Sequence, residues 1–304
     1  MASRYLLITA DDFGIGPDTS RGVLDLAARG AVTSAVLLAN SPFAAEAVGI
    51  WRRAGSRLEL GWHPCLTLDR PVMPPDRVPS LVDDAGRFLT LKRFLRRLLR
   101  GRIDPAELRD EFAAQLERFV ALVGHAPANV NAHHHLHVFR PVGDVLRDVL
   151  ARVAPRPFVR RVIEPRRTLA RVRGARAKRL ALGWLGRRAA RRQSAAGFPG
   201  GDALIGITDP PFVWDPDFFR RWLTAAPGRF VELTCHPGLL DPTLPGRDGS
   251  LADGQVHRRQ RELELLRDPA FLDAVAAAGF TPVTAARMTA LKGGDTATRA
   301  RLAG

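Results

Sequence analysis

The decapeptide Tyr5-Leu6-Leu7-Ile8-Thr9-Ala10-Asp11-Asp12-Phe13-Gly14 decides how this chain is read. Tyr5 to Thr9 is a short apolar run without polar alternation, the pattern of a strand buried on both faces inside a parallel sheet. Asp11 and Asp12 follow at its end, where such sheets place their chemistry. Outward from this point the alternation repeats. Ser20 to Arg29 reads as a helix closed by Gly30, Ala31 to Ala39 as a strand, Pro42 to Ala54 as a helix and Leu58 to Trp62 as a strand. Asp104-Pro105 opens a helix with an acidic cap and proline in its first turn, and Gly124 ends it. Asn129–Ala132, Ala203–Ile207, Phe230–Thr234 and Phe280–Val283 read as further strands, with helices over Val142–Val153, near Pro216–Ala225 and near Val256–Ala278. Strands alternating with helices predict an α/β protein with a (β/α) barrel-like parallel sheet. One domain is expected over residues 1–290, interrupted by a basic helical insertion at about 156–193, with a flexible tail at 291–304.

The polar residues with chemical potential cluster by position. Asn40 follows the second strand, His63 the third, the run His133-His134-His135-Leu136-His137 the fourth, and His236 the strand ending at Cys235. Six of the eight histidines thus fall at strand ends, with His125 and His257 the exceptions. An extended backbone would turn His133, His135 and His137 to one face and His134 to the other. Adjacent imidazoles repel when protonated, so such a run points to metal binding or proton transfer rather than to core filling. Two adjacent carboxylates repel likewise, unless one holds a cation and the other acts as a base. An Asp/His/His set suits Zn²⁺ or another first-row ion, and an oxygen-rich set with water suits Mg²⁺. His236 is the candidate general acid, because imidazole titrates near neutral pH. Cys65 and Cys235 read as small packing residues.

With 304 residues and 46% apolar content the chain can bury a full core. No run of about 20 apolar residues is present, so no transmembrane helix is expected. Met1 to Tyr5 leads straight into Leu6 without the apolar stretch of a secretory signal, which suggests the cytoplasm. Two cysteines make no disulfide framework, in keeping with that compartment. The net charge of +15 is localised: Arg156 to Arg192 holds 14 lysines and arginines against one acid, Glu164. Leu169, Val172, Leu180, Leu182, Trp184 and Leu185 lie among those cations, and Leu91 to Arg102 has the same character. Such a segment is either a solvated surface or a peripheral contact with the anionic inner face of a membrane. Few aromatics accompany the cations and no DNA-binding motif is visible, so no specific nucleic acid is expected. A homodimer is compatible with the chain.

Four stretches together, Thr9-Ala-Asp-Asp-Phe-Gly14, Gly61-Trp-His-Pro-Cys-Leu-Thr67, Asn131-Ala-His-His-His-Leu-His137 and Glu232-Leu-Thr-Cys-His-Pro-Gly238, resemble the YdjC-like family of carbohydrate deacetylases in order and spacing. The resemblance implies a barrel-like fold and metal-dependent removal of acetyl groups from N-acetylated amino sugars. It implies Asp12, His63 and His133 as metal ligands, Asp11 as the general base and His236 as the group that protonates the leaving amine. Asn40, His135 and His137 would contact substrate or orient ligands. Asn131-Ala132 before the histidines looks like the hopanoid-associated branch, whereas Cys235-His-Pro with Asp241 to Asp248 looks like the general branch. The substrate is left between a chito-oligosaccharide and an N-acetylglucosaminyl glycolipid. The rival expectation is another metal-dependent hydrolase on the same scaffold, a phosphoesterase or a non-sugar amidase.

Overall fold

The computed structural model describes residues 3–207, 210–245, 247 and 255–302. In chain order the elements are β1 (Arg4–Phe13), α1 (Pro17–Ala28), β2 (Ser34–Leu37), α2 (Ala44–Arg53), β3 (Glu59–Trp62), α3 (Leu91–Leu99), α4 (Pro105–Val123), β4 (Asn129–Val130), α5 (Val142–Leu150) and β5 (Phe158–Val159). There follow α6 (Arg166–Arg171), α7 (Arg176–Ala195), β6 (Ala203–Ile205), α8 (Phe218–Ala225), β7 (Phe230–Cys235), α9 (Gln255–Arg267), α10 (Pro269–Ala277), β8 (Phe280–Pro282) and α11 (Ala285–Leu302). Every strand pair is parallel, in the order β5-β4-β3-β2-β1-β7-β6, with β8 beside β1.

β1 is the centre of the sheet. Its Tyr5–Ala10 stretch pairs with β7, while its other edge is shared by β8 at Arg4–Leu6 and β2 from Thr9 onward. Leu6, Leu7 and Ile8 are fully buried, as a strand covered on both faces demands. The sheet curls until its two ends meet. The Val159 amide donates to the Pro199 carbonyl at 2.8 Å and the Leu204 amide to the Ile163 carbonyl at 2.9 Å, which closes a seam between the β5 and β6 sides. The result is the single-domain (β/α) barrel-like fold that the alternating pattern predicts.

Local chemistry explains the helix ends. Asp104 accepts a hydrogen bond from the Ala106 amide, Pro105 begins α4, and Gly124 stops it with φ of 93° in the left-handed region. The helix expected over Val256–Ala278 is two helices. Pro269 disfavours a helical Asp268, and the Asp268 side chain instead caps α10 through the Ala270 amide.

The basic segment departs further from expectation. It is not wholly an insertion: it begins with β5, the fifth strand of the barrel, and only then turns into α6 and α7. Gly186 lets α7 lie against the strand end, because a Cβ there would sit 1.8 Å from the Val162 carbonyl oxygen. The backbone of α11 stays helical to Leu302, through the stretch where the sequence lacks an apolar period. Among the described residues no helix is long and apolar enough to cross a membrane.

Candidate metal centre and catalytic pocket

The pairing of β1 with β2 slips between Ala10 and Phe13, so β1 holds one extra residue at Asp11-Asp12. Asp12 takes φ of 61°, a left-handed conformation that aspartate tolerates better than most residues. A bulge of this kind re-aims side chains. In a regular strand Asp11 and Asp12 would point to opposite faces; here both line one pocket of about 150 Å³ at the C-terminal mouth of the barrel.

Asp12, His63 and His133 come together and are buried, with their ligand atoms all within 4.8 Å of one another. Asp12 Oδ1 lies 3.1 Å from His63 Nε2 and 3.0 Å from His133 Nδ1. His63 Nδ1 is 2.6 Å from the Asn131 carbonyl, which only accepts, so Nδ1 bears the proton. In the neutral ring Nε2 then turns a lone pair toward a carboxylate oxygen. Two acceptors face each other, an arrangement that a shared cation or a second ring proton satisfies. The set of one carboxylate and two imidazoles therefore fits a divalent first-row ion, with the Asn131 carbonyl fixing the tautomer of one ligand. Asp12 Oδ2 receives Arg259 Nη2 at 2.6 Å. Burial acts to raise the Asp12 carboxyl, but Arg259 and His133 hold it well below the usual range.

Asp11 is gripped separately. Arg160 donates from Nη1 to Oδ2 at 2.6 Å and from Nη2 to Oδ1 at 2.9 Å, a bidentate clamp. Thr234 Oγ1 donates to Oδ2 at 3.0 Å, and Asn131 Nδ2 approaches Oδ1 at 3.4 Å. Arg160 also donates from Nε to Glu232 Oε1 at 2.9 Å. Burial acts to raise the Asp11 carboxyl, but Arg160 and then His63 outweigh it and keep the group ionised far below the usual range. Glu232 moves the other way, raised by burial despite Arg160. His236 Nε2 stands 3.8 Å from Asp11 Oδ2. Burial, with Arg258 second, pushes this imidazole down to about 4, so it is neutral at pH 7.

The histidine run corrects the extended reading. Residues His133–Val138 form a 3-10 turn in which His134 and His135 are both left-handed, so the two-residue alternation is lost. His133, His134 and His135 all line the pocket. His137 turns into the interior, where Nδ1 accepts from the Ala132 amide and Nε2 lies 3.2 Å from the Arg160 carbonyl. Burial and Arg160 push its imidazole down to about 3. Asn40 also lies outside the pocket lining: its amide donates to the Leu68 and Arg70 carbonyls and ties down the loop after β3. Cys65 and Cys235 are buried free thiols raised by burial, in keeping with a packing role.

Arg160, Thr234, Asn131 and Arg259 complete the site and were not legible as such in the sequence. Arg160 sits in a run of cations that reads as solvated surface. The signal available was its place directly after the apolar pair Phe158-Val159, where a strand end would aim it at the barrel mouth.

Fold and site together define a parallel α/β barrel protein with a site able to hold a divalent cation at its strand C-termini. The chain belongs to the YdjC-like family: the family model described as YdjC-like protein matches residues 5–277. A carbohydrate deacetylase of Geobacillus stearothermophilus is 31% identical over 287 residues, covering 92% of this chain and 96% of that protein. A chitooligosaccharide deacetylase of Klebsiella pneumoniae is 29% identical over 283 residues, covering 91% and 96%. A crystal structure from Enterococcus faecalis superposes with a TM-score of 0.71 at 24% identity, covering 95% of this chain and all of that one, and shows the same fold.

Proposed function

We propose that this chain is a metal-dependent N-deacetylase acting on an N-acetylated amino sugar, either a chito-oligosaccharide or an N-acetylglucosaminyl glycolipid. The observation that carries it is the Asp12–His63–His133 triad beside an independently clamped Asp11 and a neutral His236 in one pocket. The names of the Geobacillus and Klebsiella relatives support the substrate class. Asp12, His63 and His133 would hold the ion, and two nitrogens with one oxygen favour Zn²⁺ over Mg²⁺. A divalent cation there polarises an acyl oxygen and acidifies water.

The chain's own groups manage the protons. Asp11 is ionised at neutral pH and accepts the proton of the attacking water; Arg160 fixes its orientation. The amide nitrogen is a poor leaving group until it is protonated. His236 is neutral at rest, so it acts as an acid only after collecting a proton within the turnover. Its Nε2, 3.8 Å from Asp11 Oδ2, is placed for that relay. With an imidazolium pKa of about 4 it then gives the proton up readily to the departing amine.

The test is acetate release from N,N′-diacetylchitobiose and from an N-acetylglucosaminyl lipid, with EDTA and metal add-back. EDTA-sensitive release is expected, and the better substrate names the branch. Metal bound at the triad without acetate from either substrate would overturn the deacetylase reading in favour of another hydrolysis.

A further inference from the structure

Helix α7 exposes an apolar stripe that its own packing does not use. Leu182, Gly186, Ala189 and Ala190 face inward. Ala177, Leu180, Ala181 and Trp184 fall on the outer side at spacings of three and four residues, with Leu180 57% and Trp184 50% exposed. The stripe walls an apolar groove of about 630 Å³ that Leu169 of α6 also lines. Arg166 and Arg187 also line it, exposed Arg173, Arg176, Arg188 and Arg191 stand on the same stretch of chain, and the Arg188 guanidinium lies 3.6 Å over the Trp184 ring. Glu164, the acid of this segment, is buried and ion-paired with Arg179, so it does not offset the surface charge.

We propose that this face docks on an anionic phospholipid bilayer. Leu180 and Trp184 enter the headgroup boundary while the cations meet lipid phosphates. Charge complementarity selects this occupant. A field of one sign around an apolar centre needs many anions spread in a plane beside an apolar layer, and a bilayer supplies both. The placement has a bearing on the pocket. Lys178 of α7 and Leu91 of α3 both line the catalytic pocket, and α3 is itself basic, with Leu99 85% exposed beside the exposed Arg96 and Arg100. Two cationic helices that carry exposed apolar residues thus each give one residue to the pocket lining.

The experiment is co-sedimentation of the full chain with vesicles of phosphatidylcholine alone and of phosphatidylcholine with one third phosphatidylglycerol. Binding is expected on the anionic vesicles, falling as salt is raised, and little on the neutral ones. Removing cations as R173Q, R188Q and R191Q weakens partitioning about fivefold each, the equivalent of ~1 kcal/mol per surface cation. L180S/W184S weakens it at least about tenfold by removing the inserted apolar area, while acetate release from a soluble substrate is unchanged. No binding to anionic vesicles, or equal binding to both kinds, overturns the proposal. So does duplex DNA binding that exceeds vesicle binding at the same salt and is indifferent to L180S/W184S, which reassigns the surface to nucleic acid.

Discussion

Removing the charge of Arg160 should cost both stability and turnover, and the structure separates the two losses. The guanidinium is 1% exposed and serves two buried carboxylates, Asp11 and Glu232. Taking away one partner of a buried ion pair costs about 3–5 kcal/mol, since the other charge is left without compensation. With two carboxylates stranded, Arg160→Gln belongs at the upper end of that range, a melting temperature lower by about 5–10 °C. Arg160→Lys keeps the charge but not the planar fork, so it should retain most of the stability while Asp11 loses its fixed orientation. A displacement of about 1 Å in such a group costs roughly 100-fold in kcat. The double variant Arg160→Gln/Glu232→Gln removes one stranded carboxylate and should recover part of the stability without recovering turnover. Urea unfolding in EDTA gives the stabilities, acetate release gives kcat, and zinc titration calorimetry shows the separate Asp12 site intact. Wild-type kcat in Arg160→Gln, or a stability loss below about 0.5 kcal/mol, would refute the account of the clamp.

The two aspartates should part company on substitution. Asp11→Asn is expected to bind metal normally in calorimetry and lose most turnover, whereas His63→Ala loses metal affinity first; full activity in Asp11→Asn sinks the role given to it. Acid should weaken the fold well above the carboxylate range. His137 and His236 keep folded pKa values of about 3 and about 4, below the unfolded value, so the unfolded chain binds their protons first as pH falls. Stability is full above pH ~6.5 and falls by up to ~1.4 kcal/mol per pH unit for each histidine until the folded values are reached. His137→Gln, which can still accept from the Ala132 amide and donate to the Arg160 carbonyl, should flatten the pH dependence of urea midpoints between pH 6.5 and 4; an unchanged slope would exclude His137 as a source.

β1 was legible because Leu6-Leu7-Ile8 is an unbroken apolar run, β7 because apolar Phe230, Val231 and Leu233 precede the Cys-His pair, and α4 because Asp104, Pro105 and Gly124 mark its ends. β5 was not legible because Phe158-Val159 sits inside the cationic run between Arg156 and Arg160, whereas the equally short β4 is marked by the histidines that follow it. Asp11, Asp12, His63, His133 and His236 meet in one pocket because strand ends of a parallel sheet converge. Asn40 and His137 occupy the same kind of position yet serve neighbouring backbone groups. For His137 the difference is the pair of left-handed residues His134 and His135, which breaks the alternation and which the sequence does not announce. Arginine types are ambiguous for the same reason. Arg160 and Arg188 look alike in the chain, yet one is sealed inside and the other lies on the surface.

Arg160 also has a mechanical meaning. It leaves the end of β5, one border of the curled sheet, and its side chain reaches Asp11 on the central strand β1 and Glu232 on β7, the neighbour of the opposite border β6. The guanidinium is thus a rivet across the line where the barrel opens. A chain that has folded its first five strands but has not laid β7 alongside β1 holds the ligand triad and the Arg160–Asp11 pair without Glu232 and Thr234, their partners on β7. Opening of the Val159 and Leu204 amides to solvent deuterium is expected to report how often the seam breathes, and with it how often the Arg160–Glu232 pair loosens.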